Sequence, residues 1–350
     1  MSNRLRTLID RLALEQNLSD QDLTTLLTAE APDADRYLAK RADEIRQQIY
    51  GKDVYIRGLI EFTNYCRNDC YYCGIRRSRK SVSRYRLSPA EILSCCQAGY
   101  QLGFRTFVLQ GGEDPFWTDD RLVPLIKTIA ETYPDCALTL SAGERSRESY
   151  QRLFDAGADR YLLRHETATE SHYAKLHPVD LSFANRMECL QNLKDIGYQT
   201  GCGFMVGSPG QTIAHILRDL RFIQEFKPHM VGIGPFLPAS DTPFEGEAPG
   251  SAHLTVRLLS VIRLMLPSVL LPATTALGTA ETDGREKGIL AGANVIMPNL
   301  SPTAVRSKYS LYNDKISTGD EAAESIAHLR QSMEKLGYQV VTCRGDYLYQ

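Results

Sequence analysis

The chain has 350 residues, 43% of them apolar, which is enough to bury a sizeable core and suits one large α/β domain better than two small ones. Its 40 Lys and Arg nearly balance its 42 Asp and Glu, so the bulk charge of −2 predicts no affinity for nucleic acid or for a membrane surface. The most apolar stretch, 258–277, is interrupted by Arg263, Pro267 and Pro272 and therefore predicts no membrane span.

The nine cysteines bear on both compartment and chemistry. Their odd number, together with an N-terminus that lacks the apolar core of a secretory signal, predicts reduced thiols and a cytoplasmic location. Six cysteines are scattered, and we interpret them as small buried hydrophobes: Cys95, Cys96, Cys136, Cys189, Cys202 and Cys343. The other three fall within the eight residues 66–73.

Helical and strand-like periods alternate along most of the chain. Residues 1–50 form a predicted N-terminal helical segment that packs as a cap over one end of the core. Strands are predicted at 54–62, 105–110, 136–141, 160–164, 200–206, 230–236, 269–275 and 294–297. Helices are predicted at 88–102, 119–133, 146–156, 185–196, 212–226, 254–266 and 285–291.

Eight strands that alternate with helices predict a parallel sheet, and eight units fit a closed (β/α)8 barrel of the TIM type over residues 51–300. An open or partial barrel is the alternative if one of the short strands is wrong. Residues 301–350 form a predicted C-terminal extension that packs on the barrel, with a helix near 320–336 and an extended end at 339–342. In a barrel, chemistry lies at the carboxyl ends of the strands, so the polar residues that end them are the candidates for a site.

Cys66, Cys70 and Cys73 form a C-x3-C-x2-C triad directly after the first predicted strand. Thiolate sulfur selects zinc, Cu(I) or iron–sulfur clusters. Three thiolates leave one corner of a cubane cluster without a protein ligand, and a small molecule can bind the bare iron there. The alternatives are a zinc site with a distant fourth ligand and buried free cysteines.

With the aromatic Tyr72 before its last cysteine, this motif resembles the signature of the radical S-adenosylmethionine (SAM) enzymes. The resemblance implies one 4Fe-4S cluster on the three cysteines. It also implies that SAM chelates the fourth iron and is cleaved reductively to methionine and a 5′-deoxyadenosyl radical. Only Cys343 lies beyond Cys202, so the sequence offers no second three-cysteine site.

Several predicted strands end in glycines or polar residues. Gln110-Gly111-Gly112-Glu113 follows the second strand, and its glycines allow the backbone to approach a ligand closely. Alone, such a run is more often a turn, and Arg186 alone would be a solvated helix residue. Beside the triad, these residues resemble the radical-enzyme pattern. The SAM-binding residues that the resemblance implies are Tyr72, Gln110, Gly111, Gly112, Glu113, Ser141, Glu166, Arg186 and Met205.

Longer strings resemble the maturases of FeFe-hydrogenase, among them I-R-G-L-I-E-F-T-N-Y-C, V-L-Q-G-G-E-D-P and P-A-T-T-A-L-G-T. That resemblance implies a closed internal cavity and a role in assembling the di-iron subcluster of the hydrogenase H-cluster, alongside other maturation proteins. The implied substrate is a cysteine-bound iron carbonyl and cyanide complex made by the partner maturase HydG, attacked at sulfur by the radical. The matching substrate-binding residues are Arg164, Met230, Thr274, Thr275, Met297 and Tyr309.

Three other functions share part of this pattern. Methylornithine synthase and other biotin-synthase-like radical enzymes share the barrel and the cofactor motifs, so only the residues that line the cavity discriminate them from a maturase. An iron–sulfur electron carrier would not need an open iron site or a barrel-sized chain. A zinc-binding structural protein would need a fourth protein ligand.

Overall fold

The structure, a computed structural model, describes residues 1–316 and 323–349. Its strands are β1 Asp53–Ile56, β2 Gly58–Thr63, β3 Thr106–Gly111, β4 Ala137–Ser141, β5 Arg160–Leu162, β6 Gln199–Cys202, β7 Met205–Val206, β8 Met230–Val231, β9 Gly234–Pro235, β10 Val295–Ile296 and β11 Gln339–Val341. Its helices are α1 Asn3–Glu15, α2 Asp20–Thr28, α3 Pro32–Tyr50, α4 Pro89–Gln101, α5 Asp119–Thr132, α6 Arg147–Asp155, α7 Glu170–Leu176, α8 Phe183–Ile196, α9 Ile213–Phe226, α10 Ala252–Met265, α11 Thr275–Ala280, α12 Gly284–Leu290, α13 Thr303–Arg306 and α14 Ile326–Lys335.

The central sheet is parallel and closes into a barrel. Its hydrogen-bonded order is β2-β3-β4-β5-β6-β8. Three isolated parallel bridges complete the circle, joining Met230 to Leu270, Pro272 to Val295, and Asn299 back to Leu59 in β2. The predicted (β/α)8 barrel is therefore confirmed, and the open barrel is not observed.

Local sequence explains where these elements begin and end. The strands of the central sheet are mostly buried, and β2 is buried at every position, as helices outside a parallel barrel require. Ser88 and Glu91 form a reciprocal capping box at the start of α4, with Pro89 at the first helical position. Gly197 ends α8 with a φ of +109°, a left-handed conformation that favours glycine.

The predicted strand 269–275 is wrong in its extent. It contributes only the bridges at Leu270 and Pro272, because proline has no N–H for a sheet ladder. The chain then turns into α11, where the Thr274 side chain accepts a hydrogen bond from the Leu277 N–H at 3.4 Å. Helix α7 was not predicted from the sequence.

Three other predicted strands are interrupted. The first breaks at Arg57 into β1 and β2, because β1 pairs with β10 and β11 while β2 pairs with β3. The predicted strand 200–206 becomes β6 and β7, which have different partners, β8 and β9. The predicted strand 230–236 divides correspondingly into β8 and β9.

The flanking segments pack on this barrel. Helices α1 to α3 lie against α9, α10 and α12 of the outer ring. The predicted helix 320–336 is observed as α14, and its first predicted residues, 320–322, lie outside the described residues. Within the described part of the chain, no helix combines the length and apolarity needed to cross a membrane.

The C-terminal residues close the amino-terminal end of the barrel. Strand β11 pairs with β1, and Asp346 accepts hydrogen bonds from Arg160 at 2.6 Å and from Gln199 at 3.2 Å. Arg160 is fully buried in β5, and burial lowers its pKa while Asp346 opposes that effect. The tail therefore supplies the counter-charge for a cation inside the barrel floor.

Removing this counter-charge should destabilise the protein. We expect Asp346→Ala to lower the free energy of unfolding by about 2 kcal/mol, because it leaves the buried Arg160 without its acidic partner. The matched control is Asp120→Ala, which removes an 86% exposed carboxylate from Arg152 and should cost less than about 0.5 kcal/mol. Urea unfolding measures the free energy of unfolding of both variants. An equal loss of stability in the two variants would contradict the role of Asp346.

Candidate active site at the carboxyl ends of the strands

The cysteines lie on a long irregular loop, 64–87, after β2. Its backbone carbonyls need donors, and Arg84 supplies them: its guanidinium donates to the carbonyls of Ile75 at 2.8 Å and Arg76 at 2.6 Å. The same group also donates to the carbonyls of Asn64 and Arg79. Arg84 thus holds both sides of the loop together and places a positive charge beside the thiols.

Cys66, Cys70 and Cys73 are free and lie close enough for a charge on one to perturb the others. Burial raises the pKa of each thiol, that of Cys73 to about 12, and Arg84 opposes the effect at Cys66 and Cys73. Among the described residues, no three His, Cys, Asp or Glu side chains converge on a single metal ion. A cubane cluster takes each thiolate on a different iron, so these three neighbouring thiols offer ligands for three of its four irons.

The glycines after β3 and β4 bring the next motif against this loop. A Cβ on Gly112 would lie 2.2 Å from the Tyr65 carbonyl oxygen and 2.7 Å from Cys66 Cβ. Gly143, at a φ of +78°, leaves room for the side chain of Glu113. The Glu113 carboxylate accepts hydrogen bonds from Arg67 at 3.1 Å and from the Glu144 N–H at 2.9 Å. Glu113 is therefore held as a hydrogen-bond acceptor next to the cysteines.

A second charged pair, formed by Arg186 and Glu144, lies on the other side of Glu113. Arg186, only 6% exposed at the start of α8, pairs with Glu144 and donates to the Arg164 carbonyl at 2.7 Å. Burial alone would lower the Arg186 pKa, but Tyr173 and Glu144 raise it well above its usual value. Arg186 is therefore a buried cation, and the alternative of a solvated helix arginine is excluded.

Arg164 and Glu166 follow β5 and face each other, with Arg164 Nη2 3.6 Å from Glu166 Oε2. Both atoms are buried, as is Arg164 Nε, and none of the three has a hydrogen-bond partner among the described residues. Unsatisfied buried polar atoms are costly unless a ligand completes them. This pair therefore fits a polar ligand.

The turn that presents Glu166 is braced from behind. Glu166 has a φ of +64°, which is uncommon for a residue other than glycine. Asp219 of α9 is fully buried, accepts a hydrogen bond from the Ala168 N–H at 2.5 Å and lies 3.4 Å from His165 Nε2. His165 Nδ1 in turn accepts from the Gly203 N–H at 3.2 Å. The His165–Asp219 pair thus fixes the backbone around Glu166.

Tyr72 is held on the other side of the site. Burial lowers the pKa of His177 to about 3, so its ring is neutral. Its Nδ1–H donates to the Tyr173 carbonyl at 3.0 Å, which leaves Nε2 to accept from the Tyr72 hydroxyl at 3.2 Å. Tyr72 and Met205 also pack in one apolar cluster, so two predicted cofactor residues from distant parts of the chain meet here.

The predicted substrate residues occupy two levels of the barrel. Near the top, the Gln110 side chain donates to the Tyr309 hydroxyl at 3.4 Å. Lower down, Met230 and Met297 share an apolar cluster, where Arg57 Nη1 donates to the Met230 sulfur at 2.9 Å. The remaining predicted residues are placed beside strand ends: Ser141 pairs in register with Gln110, Thr274 caps α11, and Thr275 begins it.

The segment 308–316 covers the carboxyl end of the barrel. The carbonyl of Leu311 accepts from the Gly74 N–H at 2.8 Å, and Lys315 donates to Glu61 of β2. Glu61 is fully buried, and burial raises its pKa although Lys315 opposes the effect. This ion pair fastens the covering segment to the first barrel strand.

Comparison with known proteins agrees with this site. A model of the radical SAM superfamily matches residues 60–223. The [FeFe] hydrogenase maturase subunit HydE of Thermotoga maritima is 47% identical over 300 residues, which cover 86% of this chain and 85% of that protein. This chain belongs to the HydE family of radical SAM enzymes. As a member of that family it binds a 4Fe-4S cluster and SAM.

Other relatives share the fold. The 3-methylornithine synthase of Methanosarcina barkeri is 30% identical over 326 residues, covering 93% of this chain and 91% of that protein. The crystal structure of methylornithine synthase (PylB) superposes with a TM-score of 0.82 at 28% identity, covering 95% of this chain and 97% of that one. The HydE-family chain is thus less similar to the methylornithine synthases than to HydE.

Sequence reasoning missed several of the residues that shape the site. Asp219 lies in a helix on the face of the buried Ile216 and Leu220, and an acidic residue at such a position was the available signal. Glu61 interrupts an apolar strand in the same way. Arg84 had no local signal, because its four carbonyl partners are specified only by the folded loop.

The cysteine triad predicts a sharp mutational contrast. We expect Cys66→Ala, Cys70→Ala or Cys73→Ala to abolish 5′-deoxyadenosine formation from SAM under reducing anaerobic conditions, because each would remove an expected iron ligand. Cys343→Ala is the control, since this exposed thiol lies in the C-terminal extension. Formation of 5′-deoxyadenosine at the parental rate by any triad variant would refute the cluster assignment.

The brace behind Glu166 predicts an effect on cofactor binding. Asp219→Ala should raise the KM for SAM about tenfold, because the loss of an anchoring hydrogen bond, worth about 1–2 kcal/mol, lets the Glu166 turn move. Asp219→Asn keeps the acceptor for Ala168 and should recover most of the affinity. The measurement is steady-state SAM cleavage with KM and kcat determined separately, and an unchanged KM in Asp219→Ala would remove the pair from this role.

Proposed function

We propose that this enzyme matures FeFe-hydrogenase by acting, through a 5′-deoxyadenosyl radical, on a cysteine-bound iron carbonyl and cyanide complex. The observation that carries the proposal is the 47% identity to HydE across 86% of the chain. The complex would be supplied by the partner maturase HydG and contribute to the di-iron subcluster of the H-cluster.

The cofactor is positioned by fixed charges. Cys66, Cys70 and Cys73 would hold the cluster, which supplies the electron that cleaves SAM. The Glu113 carboxylate, already oriented by Arg67 and the Glu144 N–H, would accept hydrogen bonds from the methionine ammonium. The cationic Arg186 would attract the methionine carboxylate.

Further residues would complete the SAM site. Glu166 would accept from the ribose hydroxyls through its unsatisfied Oε2. Gln110, Gly111 and Gly112 would let the ligand approach the ends of β3, with Ser141 beside them at the end of β4. Tyr72 and Met205, joined in one apolar cluster, would pack against the cofactor.

The substrate would meet an anion site. Arg164 has Nε and Nη2 buried without hydrogen-bond partners among the described residues, and a planar guanidinium matches a carboxylate in a two-point contact. Thr274 and Thr275 would contribute hydroxyls, and Tyr309 a phenol held by Gln110. Met230 and Met297 would line the apolar lower part of the cavity. The covering segment 308–316 would keep water away from a radical reaction.

A second candidate is synthesis of 3-methylornithine. The 30% identity to the Methanosarcina barkeri enzyme and the TM-score of 0.82 to the PylB structure favour it specifically, because they span nearly the whole chain. The maturase proposal has higher identity in its support. Both proposals place the enzyme in the cytoplasm, which agrees with the free state of all nine cysteines.

A maturation assay separates the two proposals. A lysate that contains the other maturation proteins and apo-hydrogenase but lacks this protein should gain hydrogenase activity when the protein is added. The Cys70→Ala variant is the matched control and should restore none. Arg164→Lys should reduce activation at least about tenfold while SAM cleavage without substrate changes little, because lysine lacks the planar fork.

Full activation without the protein would refute the maturase role. Release of 3-methylornithine by the wild-type protein from a lysate that supplies amino acids, with no hydrogenase activation, would favour the second candidate. Both assays use the same anaerobic preparation of the protein. Measuring the iron content of that preparation shows whether the cluster has been lost.

A further inference from the structure

Tyr173 of α7 is deeply buried beside the residues that are expected to bind SAM. Its side chain is 1% exposed, and its hydroxyl has no hydrogen-bond partner among the described residues. Other tyrosines that are buried to a similar extent have a partner for their hydroxyl, namely Tyr150, Tyr161, Tyr198 and Tyr309. A buried hydroxyl without a partner is costly, so its presence here predicts a polar ligand.

The Tyr173 ring is held in place by its neighbours. It stacks on the His177 ring with 3.9 Å between the ring centres, and the edge contact with Phe183 has its ring centres 5.6 Å apart. His177 is itself fixed, because its Nδ1–H donates to the Tyr173 carbonyl and its Nε2 accepts from the Tyr72 hydroxyl. The Tyr173 hydroxyl therefore keeps its position without a hydrogen bond of its own.

The charged groups around this hydroxyl belong to the candidate active site. The Arg186 guanidinium carbon lies 6.0 Å from the centre of the Tyr173 ring. Burial raises the pKa of Tyr173, Arg186 opposes that effect, and the charges of Glu144, Cys70 and Glu166 add to it. The hydroxyl therefore keeps its proton and is available as a hydrogen-bond donor.

Arg186 decides which kind of ligand group suits this donor. It is a buried cation that pairs with Glu144 and donates to the Arg164 carbonyl at 2.7 Å. A carboxylate attracted to that cation would bring acceptor oxygens to the neighbourhood of the Tyr173 hydroxyl. A hydrogen bond from a hydroxyl to a carboxylate is about twice as strong as one between neutral groups, so this pairing would satisfy the hydroxyl well.

We propose that Tyr173 is a further cofactor-binding residue, whose hydroxyl donates a hydrogen bond to the methionine carboxylate of SAM beside Arg186. Tyr173 then contributes to specificity, because a site built to hydrogen-bond one group of a ligand rejects the analogue that lacks this group. The inference rests on the proposed placement of the carboxylate at Arg186, and not on the identity of the second substrate.

The test compares the affinities for SAM and for decarboxylated SAM, which keeps the sulfonium and the amino group but has no carboxylate. Tyr173→Phe removes only the hydroxyl and keeps the ring that stacks on His177. Tyr198→Phe is the matched control, because it removes an equally buried hydroxyl that donates to the Tyr150 carbonyl at 2.8 Å. Each ligand is titrated calorimetrically into the reconstituted holoenzyme without a reductant, so that no turnover occurs.

We expect Tyr173→Phe to raise the Kd for SAM about tenfold, because it removes a hydrogen bond to a charged group. Its Kd for decarboxylated SAM should match that of the wild type. Its melting temperature without SAM should not fall, because the hydroxyl has no partner in the ligand-free protein. Tyr198→Phe should lower the melting temperature and leave both Kd values unchanged.

Three results for Tyr173→Phe would overturn the proposal. One is an equal change in Kd for the two ligands, because the hydroxyl would then not recognise the carboxylate. Another is a lower melting temperature or iron content of the SAM-free protein, which would assign the hydroxyl a structural role. The third is a shifted reduction potential of the SAM-free cluster, which would mean that the hydroxyl donates to a sulfur near Cys70.

Arg186→Gln tests the placement on which this inference rests. It should reduce the preference of the protein for SAM over decarboxylated SAM. If it does so and Tyr173→Phe does not, the role of Tyr173 is refuted and the placement of the carboxylate stands. If neither variant changes that preference, both are refuted. Since no hydrogenase activity is measured, these outcomes are independent of the maturase proposal.

Discussion

The site depends on one guanidinium that satisfies the backbone of an irregular loop. Residues 64–87 contain no helix, so their carbonyl groups need donors from elsewhere, and Arg84 donates to four of them. The same cation opposes the cost of ionising Cys66 and Cys73. Arg84 therefore shapes the loop and also lowers the free-energy cost of negative charge on the cysteines of that loop. The glycines at 112 and 143 then bring Glu113 against a loop whose form is already fixed.

Both ends of the barrel are completed by the C-terminal extension. At the carboxyl end, Lys315 reaches Glu61 in the first barrel strand. At the amino-terminal end, β11 extends the sheet of β1, and Asp346 neutralises Arg160. The extension is thus a structural part of the barrel, because it makes charged or hydrogen-bonded contacts at both ends.

The sequence predicted the architecture better than the interior. The eight units and the cysteine triad follow from local patterns, namely hydrophobic period, caps and spacing, and the structure confirms the barrel. The prediction of the seventh strand was wrong in its extent. A proline within the apolar run lacks an N–H for the sheet, and a threonine near its end caps the following helix. Asp219 and Lys315 could not be assigned roles, because their partners Ala168 and Glu61 lie 51 and 254 residues away in the sequence. Arg84 could not be assigned one because its partners are backbone carbonyls that only the folded loop brings together. A pattern in a short stretch of sequence does not show which distant residues will pair in the folded protein.

The pairing of β11 with β1 has a consequence for biosynthesis. Arg160 enters the barrel wall when β5 forms, but its acidic partner is 186 residues further along the chain. When all eight barrel units have left the ribosome, Arg160 still lacks its acidic partner at the amino-terminal end of the barrel. One edge of β1 is also still unpaired. Contacts of such separation slow folding, because a long loop must close before they form. The amino-terminal end of the nascent barrel is thus expected to stay incomplete until the tail emerges.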